Sequence, residues 1–102
     1  MKKFFLDIRP VVYEDVIGIY NYICKSDLQV AYYVASEIWT KIDSLDTFPN
    51  RGANLQNIIN RPTKYKFIIA CKSYAILYLV EDDTVKVTHV RHMARDLAAL
   101  KF

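Results

Sequence analysis

The sequence predicts an α+β fold in the order β-α-α-β-β-β with a short C-terminal helix, built as a single domain over residues 1–102. Two observations lead to this class. Apolar residues recur at helical spacing up to about residue 46, and from residue 64 onward they recur at the alternating spacing of strands. The chain is also 53% apolar and 14% aromatic, which excludes a disordered chain and is enough for one core. No internal repeat or linker divides it.

The first two elements are a strand and a helix. The stretch from Lys2 to Arg9 alternates weakly between polar and apolar residues, and Pro10 ends this strand because proline fixes φ. Proline can also open a helix, which is predicted over about residues 11–24. The apolar face of this helix consists of Val12, Val16, Ile19, Tyr20 and Ile23.

A second helix is predicted to run to about Asp46. Ser26, followed three residues later by Gln29, matches a capping box that would start this helix. Because only a few residues link the two helices, they must return antiparallel as a hairpin, and the small Ala31 and Ala35 would let them approach closely. The apolar face of the second helix consists of Ala31, Ala35, Ile38, Ile42 and Leu45.

The middle of the chain is predicted to be a loop from Phe48 to Pro62, because proline and asparagine recur there. Three strands of an antiparallel meander follow. The central one, Tyr74 to Val80, is almost continuously apolar, as expected for a strand covered on both faces. The preceding strand alternates between an apolar set and a more polar set: Tyr65, Phe67 and Ile69 against Lys64, Lys66 and Ile68.

The last strand, residues 84–92, follows a tight turn at Asp82 and Asp83. Val90 falls out of the phase set by Val85 and Val87, which predicts a bulge or a two-sided strand end. A short final helix is predicted from the spacing of Met93, Leu97 and Leu100.

Composition excludes several classes of function. Gly18 and Gly52 are the only glycines, too few for a loop that cradles a nucleotide, so no such cofactor is expected. No apolar run approaches the roughly 18 residues of a membrane span, and the N-terminal apolar run is too short for a signal peptide. We therefore expect a cytoplasmic protein. Cys24 and Cys71 lack the spacing of metal ligands, so we expect free thiols and no bound metal.

Charge divides the chain into two halves. Residues 10–48, the predicted helical hairpin, carry a net charge of −4, whereas residues 61–102, the predicted meander and chain end, carry +4. The total of +3 therefore conceals an acidic helical half and a basic sheet half. A basic surface of this kind suits an acidic partner, and long-range attraction to that partner would weaken with salt.

Several segments match a known pattern over nearly the whole chain. They are Asp15–Ile23, Ile42–Leu45, the Phe48–Gly52 turn, Arg61 and Pro62 before Tyr65–Phe67, Tyr74–Tyr78, and the ending Val87–Asp96. In this order and spacing they resemble the RelE/ParE superfamily of type II toxin–antitoxin toxins. The resemblance implies a toxin that is held inactive, in a hetero-oligomer, by a cognate antitoxin whose C-terminal segment wraps it.

The resemblance implies two different activities within that superfamily. RelE-like members cut mRNA on the ribosome, whereas ParE-like members inhibit DNA gyrase. The ending of this chain contains His92 and Arg95 but no tyrosine after Tyr78, so it looks more ParE-like. The expected function is therefore a growth-inhibiting toxin acting on gyrase, of the kind used in plasmid stabilisation. The alternatives are a ribosome-dependent mRNA endonuclease and a non-toxic binding module of the same fold.

Candidate residues follow for each role. Metal-independent RNA cleavage needs an acid or base, which His92 could supply, and cations that hold the phosphate. The catalytic candidates are Arg61, Lys64, Lys66, His92 and Arg95, and the candidates for contacting the target are these five with Arg91. The antitoxin-binding candidates are Tyr13, Tyr32, Tyr33, Lys64 and Lys66. As structural alternatives, His92 would hydrogen-bond at a strand end and the lysines would form a solvated face of the sheet. Tyr20, Tyr65 and Tyr78 sit at core spacing, whereas Tyr13, Tyr32 and Tyr33 are less well placed for a single core.

Overall fold

The computed structural model describes residues 3–59 and 61–95, in which two long helices cover one face of a five-stranded sheet. The strand order is β1-β5-β4-β3-β2, and every neighbouring pair is antiparallel except β1 and β5, which are parallel. The α+β class and the predicted order of the main elements are thus confirmed. The elements are β1 Phe5–Ile8, α1 Pro10–Cys24, α2 Leu28–Asp43, β2 Ala53–Asn54, α3 Gln56–Ile59, β3 Lys66–Ala70, β4 Tyr74–Glu81 and β5 Thr84–His92.

The main core lies between the helical hairpin and the sheet. Its helical side comes from the predicted stripes, and Val34 joins them on α2. Tyr20, predicted on the apolar face of α1, is the exception: it is not part of this core, and its pKa is raised mainly by Cys24 of the same helix, with a smaller contribution from Tyr32 of α2. A second, smaller cluster covers the opposite face of the sheet, where Leu55 packs with Phe67, Ala75 and Leu77. Strand β4 is therefore covered on both faces, as its continuous apolar run predicted.

The start of α2 differs from the prediction. Asp27, and not Ser26, is the N-cap: its extended backbone precedes the helix and its Oδ1 accepts a hydrogen bond of 3.0 Å from the amide of Val30. Ser26 instead donates its amide to the carbonyl of Ile23 and so belongs to the turn that ends α1. Both residues can cap a helix, and the geometry of this turn selects the second.

The predicted loop from 48 to 62 contains structure that the sequence pattern does not reveal. The two-residue strand β2 pairs with Phe67 and Lys66 of β3, and the one-turn helix α3 follows it. The fully buried Tyr78 fastens this segment, since its hydroxyl donates to the carbonyl of Pro49 at 2.6 Å and accepts from the amide of Gly52 at 3.1 Å. Burial also raises the pKa of Tyr78 and so keeps this hydroxyl protonated.

The predicted apolar set of β3 does not lie on the face of the strand that packs against the helices. Ile68 and Ala70 lie toward the helices, whereas Phe67 lies in the smaller cluster and Ile69 is 43% exposed. The apolar set Tyr65, Phe67 and Ile69 therefore does not face the main core, because the helices cover the other side of the strand.

The predicted irregularity in β5 is confirmed. The register between β4 and β5 shifts after Leu77: Leu77 pairs with His89, whereas Tyr78 pairs with Val87. Thr88 is therefore the extra residue of a bulge. This bulge returns Val90 to the main core beside Val85 and Val87. At the chain end, Met93 lies in a turn over residues 93–95, and Leu97 and Leu100 of the predicted final helix lie outside the described residues.

Candidate functional site

The basic residues predicted from sequence lie at two opposite ends of the sheet. Strand register places Lys66 beside Tyr78, at one end of β3, whereas His92 pairs with Tyr74, whose other neighbour is Ala70 at the far end of β3. Four residues along a strand span about 13 Å, and two strand spacings add about 10 Å across the sheet. The catalytic candidates therefore do not converge on one phosphate.

One group forms what we call the basic corner, at the edge of the sheet next to β2 and α3. Lys66 donates from Nζ to Oδ1 of Asn54 at 3.2 Å, and Lys64 is exposed just before β3. Nearby, an open depression of about 280 Å³ is lined by Gln56, Asn57, Arg61 and Pro62. The basic corner is defined as Asn54, Gln56, Asn57, Arg61, Lys64 and Lys66.

At the other end of the sheet, Arg91 joins β5 to α1. Its guanidinium forms an ion pair with Asp15, and the same carboxylate oxygen accepts a hydrogen bond of 3.0 Å from the amide of Val90. Both side chains are largely buried, with 25% of Arg91 and 14% of Asp15 exposed. This is a structural tie, and sequence reasoning missed it because nothing in the spacing connects Asp15 to residue 91.

Replacing Asp15 with alanine is expected to lower the free energy of unfolding by roughly 2 to 3 kcal/mol, because it leaves the Val90 amide without its acceptor and a largely buried guanidinium without its carboxylate partner. Urea denaturation followed by circular dichroism measures this change. The matched control is Glu14→Ala, which removes the neighbouring but exposed carboxylate of α1 and should change stability by less than about 0.5 kcal/mol. Equal effects of the two substitutions would contradict the assigned role of Asp15.

His92 closes the turn that follows β5. Its Nδ1 accepts hydrogen bonds from the amides of Ala94 at 3.1 Å and Arg95 at 3.3 Å, and its ring meets that of Tyr74 edge-on with centroids 5.4 Å apart. The guanidinium of Arg95 lies 5.2 Å from the ring centroid of Tyr22 on α1. These contacts match the structural alternative for His92, and its role in catalysis or target contact stays a prediction.

The second histidine, His89, is half-buried in the sheet, with its Nδ1 2.9 Å from the hydroxyl of Thr88. Burial lowers the pKa of His89 below its ordinary value of 6.5, the guanidinium of Arg91 lowers this pKa further, and Asp15 partly opposes the shift. The ring is therefore neutral at neutral pH.

This pKa predicts a loss of stability in mild acid. As pH falls below about 6.5, His89 takes up a proton in the unfolded chain before it does so in the folded chain, so the unfolded state binds more protons and is favoured. The stabilisation from neutral His89 is complete above pH 6.5 and is lost as pH falls through the lowered pKa. Urea denaturation between pH 7.5 and 5 should show a steeper decline for the wild type than for His89→Gln. Equal declines of stability with pH in the two proteins would contradict the lowered pKa of His89.

The predicted antitoxin-binding tyrosines also divide between two surfaces. Tyr13 packs on Trp39 with ring centroids 5.1 Å apart, where α1 and α2 meet on the outer side of the hairpin. With their helical neighbours they form what we call the hairpin stripe: Tyr13, Ile17, Tyr20, Leu28, Tyr32 and Trp39. Its largest exposed fractions are 69% for Tyr32, 62% for Leu28 and 59% for Ile17.

Tyr33 is equally prominent but lies on a different side of α2. Adjacent residues of a helix are separated by about 100°, and the surroundings of Tyr33 reflect that rotation. The carboxylate of Glu37 and then the thiol of Cys71 raise the pKa of Tyr33, whereas the pKa of Tyr20 is raised mainly by Cys24, with a smaller contribution from Tyr32. Tyr33 therefore faces the β3–β4 turn, while Tyr32 belongs to the hairpin stripe.

Neither a metal site nor a membrane-spanning helix is found within residues 3–59 and 61–95. No three His, Cys, Asp or Glu side chains there come together as metal ligands, and Cys24 and Cys71 are half-buried free thiols. No helix in the same ranges has both the length and the apolar character needed to cross a membrane.

Comparison with known proteins gives a consistent result. The family model described as "ParE toxin of type II toxin-antitoxin system, parDE" matches residues 6–97. A solved structure titled "Chromosomal ParDE TA system from P. aeruginosa" superimposes with a TM-score of 0.71 at 13% identity, over 88% of this chain and 96% of that chain, and so shares the fold. No protein of curated function matches significantly. Because the family model spans nearly the entire sequence, the chain belongs to the ParE toxin family of type II toxin–antitoxin systems.

Proposed function

We propose that this protein is a cytoplasmic growth inhibitor that acts on DNA gyrase and is neutralised by a cognate antitoxin. The observation that carries the proposal is the family match over residues 6–97. The separation of the basic residues supports an inhibitor over a nuclease, because acid, base and cation must all reach one phosphodiester group at hydrogen-bonding distance. Here Lys66 and His92 are at opposite ends of the sheet.

The hairpin stripe is the surface on which we place the antitoxin. Large apolar side chains exposed side by side on a monomer mark a binding site, and a groove between two helices accepts the apolar face of an amphipathic helix. Tyr13 and Tyr32 of the predicted antitoxin contacts lie on this stripe. Tyr33, Lys64 and Lys66 lie elsewhere, so only a partner that wraps around the molecule reaches them as well, and we expect these peripheral contacts to contribute little to antitoxin affinity.

The target is proposed to meet the basic residues. Arg61, Lys64 and Lys66 are grouped at the basic corner. His92 and Arg95 close the turn at the other end of the sheet, and Arg91 is engaged with Asp15. We therefore expect the basic corner to contribute more to target binding than Arg91, whose guanidinium already has a carboxylate partner.

Growth inhibition is tested by inducing the chain in bacteria and counting colonies, with and without the gene encoded beside it. Colony counts should fall on induction of the chain alone and recover when its neighbour is co-expressed. Unchanged counts on induction, with the protein detectable in the cells, would overturn the proposal in favour of a non-toxic binding module. Primer extension on mRNA from the same cells should show no new cuts within codons, and such cuts would favour the endonuclease.

A further inference from the structure

We infer that the basic corner binds the phosphodiester backbone of nucleic acid. Carboxylates are unevenly distributed along the chain. No Asp or Glu occurs between residues 47 and 80, whereas five basic residues do: Arg51, Arg61, Lys64, Lys66 and Lys72. This segment alone therefore carries +5, more than the +3 of the whole chain, while the acidic turn at Glu81, Asp82 and Asp83 follows the neighbouring strand at the same end of the sheet.

Three of those five cations come together at the basic corner. Arg51 is turned away, since its guanidinium donates to the hydroxyl and the carbonyl of Ser44, and Lys72 lies in the turn after β3. The fold thus places Arg61, Lys64 and Lys66 at one edge of the sheet, in a part of the chain that contains no Asp or Glu.

The side chains between these cations are amides. Asn54, Gln56 and Asn57 are all exposed, and two of them share the lining of the 280 Å³ depression with Arg61. Arginine, lysine, asparagine and glutamine are the side chains that bind phosphate and sugar oxygens in nucleic-acid complexes. Arginine can in addition grip a phosphate with two parallel hydrogen bonds.

An acidic polypeptide fits the basic corner less well. Protein interfaces are anchored by apolar or aromatic side chains that fill pockets. Among the described residues that line the depression, Pro62 is the one apolar residue, whereas the exposed Tyr13 and Tyr32 lie on the hairpin stripe. Phosphodiester recognition needs no apolar anchor, because it is dominated by charge and hydrogen bonds.

This inference deepens the proposed function and rests on it for the biological setting, in which gyrase presents DNA to the toxin. It is tested on the purified toxin without gyrase. Fluorescence anisotropy would measure binding to a labelled 20-base-pair duplex, with single-stranded DNA, RNA and polyglutamate as competitors. With three phosphates contacted, the logarithm of affinity should fall against the logarithm of salt concentration with a slope of about −2.7.

The triple variant Arg61→Gln, Lys64→Gln and Lys66→Gln should bind at least tenfold more weakly and lose most of the salt slope. Lys64→Gln alone, at an exposed position outside the strands, should weaken binding while leaving the fold unchanged by circular dichroism. The control is Lys72→Gln, which removes the same charge at the turn after β3 and should bind within twofold of the wild type.

If duplex DNA displaces the labelled duplex more strongly than RNA does, the ligand of the basic corner is DNA. If RNA displaces it more strongly, the ligand is RNA. Either result supports the inference. Three results would overturn it: no binding at 50 mM salt, an equal loss in Lys72→Gln, or tighter binding of polyglutamate than of either nucleic acid at equal charge. Since gyrase is absent from this assay, a negative result overturns the inference alone, and absence of gyrase inhibition overturns the proposed function alone.

Discussion

Replacing Gly52 with alanine is expected to lower the free energy of unfolding by about 3 kcal/mol, because a Cβ at this position has no room. It would overlap the hydroxyl of Tyr78 and lie 2.8 Å from the carbonyl oxygen of Phe67. Neither neighbour can move cheaply: Tyr78 is fully buried, and the Phe67 carbonyl belongs to β3. The substitution also displaces the Gly52 amide from its hydrogen bond to that hydroxyl.

The measurement is urea denaturation of the isolated toxin, supported by a thermal melt in which Tm should fall by about 12 to 24 °C. Gly18→Ala is the matched control, since an added Cβ there meets nothing within 4 Å on the exposed side of α1. This control should stabilise the protein by about 0.5 to 1 kcal/mol, because alanine favours a helix interior over glycine. A neutral Gly52→Ala variant would contradict the packing described around Tyr78.

Truncating the hairpin stripe is expected to release the toxin from its antitoxin. The double variant Ile17→Ala and Tyr32→Ala should weaken antitoxin binding about 100-fold, or about 2.7 kcal/mol, since it removes two large exposed side chains from the hairpin stripe. Isothermal titration with the purified antitoxin measures the affinity. In cells, co-expressed antitoxin should no longer restore growth.

The control for this experiment is Tyr33→Ala. Tyr33 is nearly as exposed as its neighbour, at 60%, but lies near Glu37 and Cys71 of the β3–β4 turn instead of on the hairpin stripe. Its affinity for antitoxin should stay within about threefold of the wild type, a change below about 0.7 kcal/mol. A larger loss for Tyr33→Ala than for Tyr32→Ala would place the antitoxin on another side of α2.

Much of the fold was predictable because it depends on local periodicity. The two helices and the three long strands follow from apolar spacing. The phase error at Val90 predicts a bulge or a two-sided strand end, and the register with β4 shows a bulge at Thr88. Strand β2 was not predictable, because two residues carry no periodic signal and pair only once β3 exists. The cap of α2 was ambiguous for a similar reason, since Ser26 and Asp27 both suit an N-cap.

The candidate site was predictable as a set of residue types but not as an arrangement. Charge counting assigned Arg61, Lys66 and His92 to one basic half, and only strand register shows that they lie at opposite ends of it. The tie between Asp15 and Arg91 joins residues 76 positions apart, which no local pattern can report. Likewise, the adjacent Tyr32 and Tyr33 look equivalent in sequence, but successive residues of a helix point in different directions. Tyr32 therefore lies on the hairpin stripe and Tyr33 near the β3–β4 turn.

The central claim is that this ParE-family chain inhibits DNA gyrase. Its most direct test is a supercoiling assay, in which relaxed plasmid, ATP and purified gyrase are mixed with increasing amounts of the toxin. We expect supercoiling to fall with toxin concentration and to return when antitoxin is added in equal amount. Full supercoiling at a large molar excess of toxin that still stops growth in cells would contradict the claim.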